Sequence, residues 1–263
     1  MDYSGYEDLV VDVRDGVATF RINRPDRLNA YRTHTRVEIF DLAAKLQADD
    51  DVRVVVCTAE GRGFCSGAEL GRADGDASPP SRAERTSRLG QNAFTMLMSG
   101  MDKPTIASIN GVAAGGGMAW ACSFDIRILG PSARFTTVFV RRAFTPDNGL
   151  TYFLPRLVGE ARAYELFFTG REVAAEEAAL IGLGNELVDD PDARAMEMAR
   201  ELAAGPPLSI MWSKRMIQYG RDHSLADLIE YERAAAAHTR DSEDRKEGVR
   251  AFLEKRKAVF TGQ

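Results

Sequence analysis

Two short stretches rich in small residues could do chemistry with their backbones. Ile109 to Ala119 reads INGVAAGGGMA, and Gly61 to Leu70 reads GRGFCSGAEL. The first follows an apolar run, Thr105 to Ile109, that reads as a buried strand. Three glycines then lead into Met118-Ala119-Trp120-Ala121, where apolar residues favour a helix. A helix opening on bare glycines leaves its first N–H groups free to hold negative charge. Alone, a glycine triplet is equally well explained by tight helix-on-sheet packing. The second stretch also follows a strand-like run, Val52 to Thr58, and places small residues ahead of a predicted helix start at Glu69. Two such turns can each aim one N–H at a single oxygen, which is the chemistry of an oxyanion hole.

The elements that must position these turns are readable around them. Leu9 to Arg14 and Val17 to Ile22 alternate about Asp15-Gly16 and predict a hairpin. Residues 33–47 predict a helix with Val37, Phe40, Ala44 and Leu42 on its apolar face and Thr33 or Thr35 as cap. Strands at 52–58, 105–109, 125–129 and 134–136, with a helix at 116–122, suggest a parallel or mixed sheet. Residues 71–82 (GRADGDASPPSR) lack periodicity and predict a mobile loop. Beyond Gly159 the pattern is helical at 160–169, 174–181, 191–204, 207–219, 225–240 and 243–257.

Composition bounds the function. The 263 residues, 28.9 kDa and 44% hydrophobic, can form one sizeable core with a C-terminal helical extension. A net charge of −5 and a pI near 5.4 argue against a nucleic-acid partner. There is no apolar run long enough to span a bilayer, and MDYSGYEDLV is acidic without a hydrophobic signal segment, so a cytoplasmic protein is expected. Cys57, Cys65 and Cys122 lack metal-ligand spacing and read as buried free thiols; no metal site is expected. His34, His223 and His238 are scattered singly and read as surface or helix residues.

Several segments in order, NRPDRLNAY at 23–31, GRGFCSGAEL at 61–70, KPTIASINGVAAGGG at 103–117, SFDIRI at 123–128, PDNGLTYFLPRLVG at 146–159 and the tail EGVRAFLEKRKAVFTG, together resemble the crotonase (enoyl-CoA hydratase/isomerase) superfamily. The resemblance covers nearly the whole chain. It implies an α/β crotonase-like spiral of repeated ββα units over 1–200 and a C-terminal helical oligomerisation region over 201–263, giving a homotrimer or dimer of trimers. It implies an acyl-CoA thioester substrate, with CoA as part of that substrate and no other tightly bound cofactor. A thioester suits the two turns, because its α-hydrogens become acidic only when the enolate oxygen is stabilised. By motif position the donors are the N–H groups of Ala68 and Gly116, with Gly115 and Phe139 beside them. Arg27, Leu28, Ala30, Ser66, Ala68, Glu69 and Leu70 match positions along the CoA path, and Lys257 and Phe260 match positions that close over the nucleotide, commonly from another subunit. The loop at 71–82 borders the acyl pocket in relatives. Glu69 itself is better explained by a helix dipole than by catalysis, and Asp125 matches a structural aspartate.

This chain departs from the pattern in an informative way. Hydratases of the family carry two glutamates where this sequence has Ala119 and Phe139, and neither can move a proton. One carboxylate remains, Asp147 in TPDNG, at a position where family isomerases use an aspartate as acid/base. A single carboxylate can take a proton from C2 and return one at C4. The competing reading is turn chemistry, with Asp147 capping a helix that begins near Gly149. The resemblance therefore implies an enoyl-CoA double-bond or ring isomerase. The alternatives are a non-catalytic acyl-CoA-binding protein, or a hydratase with atypical acid/base residues. Arg141 and Arg142 either pair with an acidic acyl group or face solvent; surface is the simpler reading.

Overall fold

The computed structural model describes residues 1–69 and 93–263. Leu70 and the predicted loop at 71–82 lie outside the described residues. Strands β1 (Leu9–Arg14) and β2 (Val17–Ile22) form the expected hairpin, with Asp15 and Gly16 both at positive φ in the turn. Helix α1 (Thr33–Ala48) follows, then β3 (Val54–Ala59) and β4 (Gly63–Cys65). After α2 (Ala93–Gly100) come β5 (Thr105–Ile109), β6 (Val112–Ala114) and α3 (Gly116–Ser123). Strands β7 (Ile126–Leu129) and β8 (Arg134–Thr136) lead through a 3₁₀ turn, Phe139–Arg142, to α4 (Leu150–Val158) and α5 (Glu160–Thr169). The chain ends in β9 (Glu172–Ala174), α6 (Ala175–Leu180), β10 (Glu186–Leu187), α7 (Pro191–Ala203), α8 (Pro207–Tyr219), α9 (Leu225–Arg240) and α10 (Glu243–Glu254).

The topology is a spiral. A six-stranded sheet runs β1-β2-β3-β5-β7-β10, parallel except for the first hairpin, and a four-stranded sheet runs β4-β6-β8-β9. Each pair β3/β4, β5/β6 and β7/β8 places its first strand in the larger sheet and its second in the smaller one. Each turn of chain therefore adds one strand to both sheets, as the ββα expectation requires.

Side-chain alternation explains how the large sheet is covered on both faces. Val54 and Val56 face outward with Val17, Ile106 and Ile128, against Ala195, Ala199 and Ala203 of α7. Alanines four residues apart form one stripe on a helix and let it sit close. Val55, Cys57 and Ala59 face inward, into a core shared with Trp120, Phe20, Phe64 and Phe135. Thr58 and Ser108 donate hydroxyl hydrogen bonds to Asp192 and fix the first turn of α7. Asp125 accepts from the Thr105 N–H and hydroxyl and pairs with Lys214 of α8 at 2.7 Å, the structural role expected of it. Burial pushes the Lys214 ammonium below its ordinary range, opposed by Asp125.

The predicted face of α1 holds only at Leu42. The helix buries Thr35, Glu38, Ile39, Leu42, Ala43 and Leu46, and leaves Val37, Phe40 and Ala44 exposed. Ile39, Leu42, Ala43 and Leu46 stand at the i, i+3, i+4, i+7 spacing of an apolar stripe and pack into the core, and the buried Glu38 carboxylate on that side accepts the N–H groups of Glu7 and Asp8. The Thr35 hydroxyl accepts the N–H of Arg32, the N-cap residue, while Thr33 takes no capping role. Helix α10 stops at Glu254, three residues before the expected end, because Lys255 adopts left-handed geometry.

The three cysteines are free and buried, as expected. Burial pushes the Cys65 and Cys122 thiols up to about 12 and raises Cys57 as well. Because the thiolate is the reactive form, native protein at pH 8 should titrate no thiol with a disulfide reagent, and three after denaturation. Any fast-reacting thiol in the native state would contradict this burial.

Candidate active site

The two small-residue turns meet. Residues 27–31 run beside 66–69: the Ser66 N–H donates to the Leu28 carbonyl (3.0 Å), Tyr31 N–H to Gly67 (2.9 Å) and Glu69 N–H to Tyr31 (2.9 Å). Gly67, at φ 95°, lies so close to the next turn that a Cβ there would stand 2.8 Å from the Ala114 carbonyl oxygen and 3.6 Å from the Gly116 nitrogen. Gly115, at φ 51°, caps α3 and accepts from Ala119 N–H. Because α3 begins at Gly116, its first N–H groups find no acceptor within the helix. Neither the Ala68 nor the Gly116 N–H is engaged by an acceptor among the described residues.

Both turns open on a cavity of about 310 Å³. Of the residues singled out from sequence, Ser66, Ala68, Gly115, Gly116, Phe139 and Asp147 line it. Arg27, Leu28, Ala30 and Glu69 do not, although 27–30 run alongside the turn that does. The helix predicted from Glu69 lies outside the described residues, and Glu69 itself is not helical. Its N–H pairs with Tyr31, and its carboxylate is bound by Arg24 at 2.8 Å, with Arg27 at 3.9 Å, so an ion pair accounts for the acid there. Lys257 is exposed, and the Phe260 carbonyl accepts from Arg53 at the start of β3, whereas the cavity turns follow the far ends of β4 and β6. These two residues are not among those lining the cavity.

Asp147 is exposed on the cavity rim and does not cap α4; the cap residue is Gly149, and no side chain bonds there. Asp147 Oδ1 instead accepts from Nδ2 of the buried Asn148 (2.7 Å), and the same amide group donates to Tyr31 Oη (3.3 Å). Tyr31 stacks on Trp120 at 4.5 Å between ring centroids and 18° between planes. Burial, then the charge of Asp147, holds the Tyr31 phenol well above its ordinary range, so it stays neutral and serves as a post. A line of contacts thus runs from the core through Tyr31 and Asn148 to the carboxylate. Ala119 is wholly buried, and Phe139 closes one wall.

Tyr31 and Asn148 are functional candidates that sequence reasoning passes over. Tyr31 lies inside a family-like motif without a role of its own, and Asn148 reads as a turn residue; Arg142 is exposed, as its surface reading expects, and also lines the cavity.

A ββα spiral whose two glycine-rich turns present free N–H groups across a cavity from a carboxylate defines an enzyme class that handles acyl thioesters. The pattern of the enoyl-CoA hydratase/isomerase family matches residues 12–263, and the chain belongs to that family. It is 34% identical over 260 residues to the 1,2-epoxyphenylacetyl-CoA isomerase of Escherichia coli (strain K12), covering 98% of this chain and 99% of that protein. It is 33% identical to the (E)-benzylidenesuccinyl-CoA hydratase of Thauera aromatica, covering 97% and 99%. The crystal structure of an enoyl-CoA hydratase from Bacillus anthracis superposes with a TM-score of 0.90 at 29% identity, covering 98% of this chain and all of that one. No helix among the described residues is long and apolar enough to cross a membrane.

Proposed function

We propose that this protein isomerises an enoyl-CoA or a related ring-bearing acyl-CoA, with the Ala68 and Gly116 N–H groups on the thioester oxygen and Asp147 as the acid/base. The observation that carries the reading is the shared cavity: Asp147 is the carboxylate among its lining residues, together with both turns, while Ala119 and Phe139 stand where, by the family resemblance, two-carboxylate hydration would need acids. Asp147 removes a proton from C2, negative charge moves onto the thioester oxygen between the two donors, and the protonated carboxyl returns a proton at C4. Each donor is worth about 3 kcal/mol of barrier by the effect of losing one. Similarity to an isomerase supports this choice, and similarity to hydratases makes hydration the alternative outcome.

A 3-enoyl-CoA incubated with the protein in deuterated water should yield the 2-enoyl isomer, read by mass spectrometry. Addition of water would favour an atypical hydratase. Bound but unchanged, undeuterated substrate would favour a binding protein.

Residues 201–263 serve, in this reading, as the oligomerisation region of a homotrimer or dimer of trimers. Exposed Leu225, Phe252 and Leu253 on α9 and α10 supply apolar surface for it. Lys257 and Phe260 then close on the nucleotide of a neighbouring copy.

A further inference from the structure

The 3₁₀ turn after β8 brings a cation to the wall of the cavity. In a 3₁₀ helix residues i and i+3 eclipse, so Phe139 and Arg142 share one face, and both line the cavity. The intervening residues turn away: Val140 and Arg141 pack against Gly170. The turn is bracketed by Val138 and Ala143, both in the left-handed region at φ 54° and 55° without being glycine. For a β-branched valine that geometry is a steric outlier, and such outliers gather where a side chain must be aimed.

Arg142 is also unengaged. Arg142 is exposed and makes no ion pair or hydrogen bond among the described residues, as is true of several surface arginines, but it is the arginine among the residues lining the cavity. Asp147, which lines the same cavity, bonds to Asn148. An exposed guanidinium on a cavity wall, with no partner among the described residues, is suited to a planar anion that it can grip through two N–H groups.

We propose that Arg142 determines acyl specificity by binding a carboxylate at the far end of the acyl group, so that the preferred ligand is the half-thioester of a dicarboxylic acid. This rests on the functional reading above in one respect. The thioester oxygen between Ala68 and Gly116 and the acyl carbons beside Asp147 orient the ligand, so the segment carrying Asp147 also carries the group that meets the acyl chain. Phe144 and Thr145, on that segment, complete the wall between Phe139 and Asp147.

The test is calorimetric binding to the full-length protein of saturated ligands that cannot isomerise: glutaryl-CoA against pentanoyl-CoA, adipyl-CoA against hexanoyl-CoA, and free CoA. A carboxylated ligand should bind about tenfold tighter than its neutral counterpart, the low end for a hydrogen-bonded charge in an open site. Arg142→Gln should abolish that preference and leave neutral acyl-CoA and free CoA binding unchanged, and Arg142→Lys should retain part of it. Equal binding of the paired ligands by the native protein overturns the proposal. So does a loss in Arg142→Gln that is uniform across all ligands including free CoA, which would assign Arg142 to a CoA phosphate. No turnover is involved, so the result stands apart from the isomerase reading, and Asp147→Asn should keep the preference intact.

Discussion

Asp147→Asn is expected to lower kcat for a 3-enoyl-CoA by roughly 10³-fold, within the span of 10²–10⁴ that general acid–base groups contribute, with KM little changed. The substitution is close to isosteric, and the new amide's carbonyl oxygen can still accept from Asn148 Nδ2 as Asp147 Oδ1 does at 2.7 Å. The Asn148 amide keeps its second bond to Tyr31, and Tyr31 its stack on Trp120. Asp147 caps no helix, so α4 loses nothing. What disappears is the ability to hold a proton between C2 and C4. Steady-state kinetics, with calorimetry of a saturated acyl-CoA, separates the two quantities. Retention of native kcat would remove Asp147 from the chemistry, and loss of ligand binding in proportion to kcat would make it a binding residue.

What the sequence shows and what it hides follow different ranges of interaction. The hairpin limits are legible because Asp15-Gly16 is local turn chemistry, and β3 and β5 because runs of valine, isoleucine and threonine suit a strand covered on both faces. The apolar stripe of α1, Ile39, Leu42, Ala43 and Leu46, stands in the sequence at helical spacing, but the burial of Glu38 beside it is illegible. Glu38 is held there by the N–H groups of Glu7 and Asp8, the latter at a separation of 30 positions. The site divides in the same way. Ala68, Gly116 and Asp147 can be picked out by motif position and do share a cavity. The Tyr31–Asn148 bond spans 117 positions, and nothing in either local segment announces it. For Arg142 the sequence leaves two readings, an acidic acyl group or solvent, because its place on the cavity depends on a turn bracketed by left-handed Val138 and Ala143, where a reader of sequence would look for glycine.

Gly116→Ala should be nearly as damaging to activity as loss of the carboxylate, by a different route. An added methyl would overlap Tyr31 Oη and lie 2.9 Å from its Cζ and 3.0 Å from its Cε1. Tyr31 has little room to yield, being 4% exposed and stacked on Trp120. If the first turn of α3 shifts, the Gly116 N–H leaves its aim on the thioester oxygen. If Tyr31 shifts, it carries Asn148 with it and displaces Asp147. Either way kcat should fall about 10²–10³-fold, the scale of one lost oxyanion donor, and overpacking should reduce stability by about 1–3 kcal/mol. Adding Tyr31→Phe removes the oxygen that makes the worst overlap, so the double variant should regain part of both losses, a coupling that independent sites would not show. Gly117→Ala is the contrast: its methyl would overlap the Cys65 carbonyl oxygen, a backbone atom that no side-chain change can withdraw. Thermal melts and kinetics of the three single variants and the Gly116/Tyr31 double variant decide the matter. Strict additivity in the double variant would mean that Tyr31 does not transmit strain between the oxyanion turn and the carboxylate.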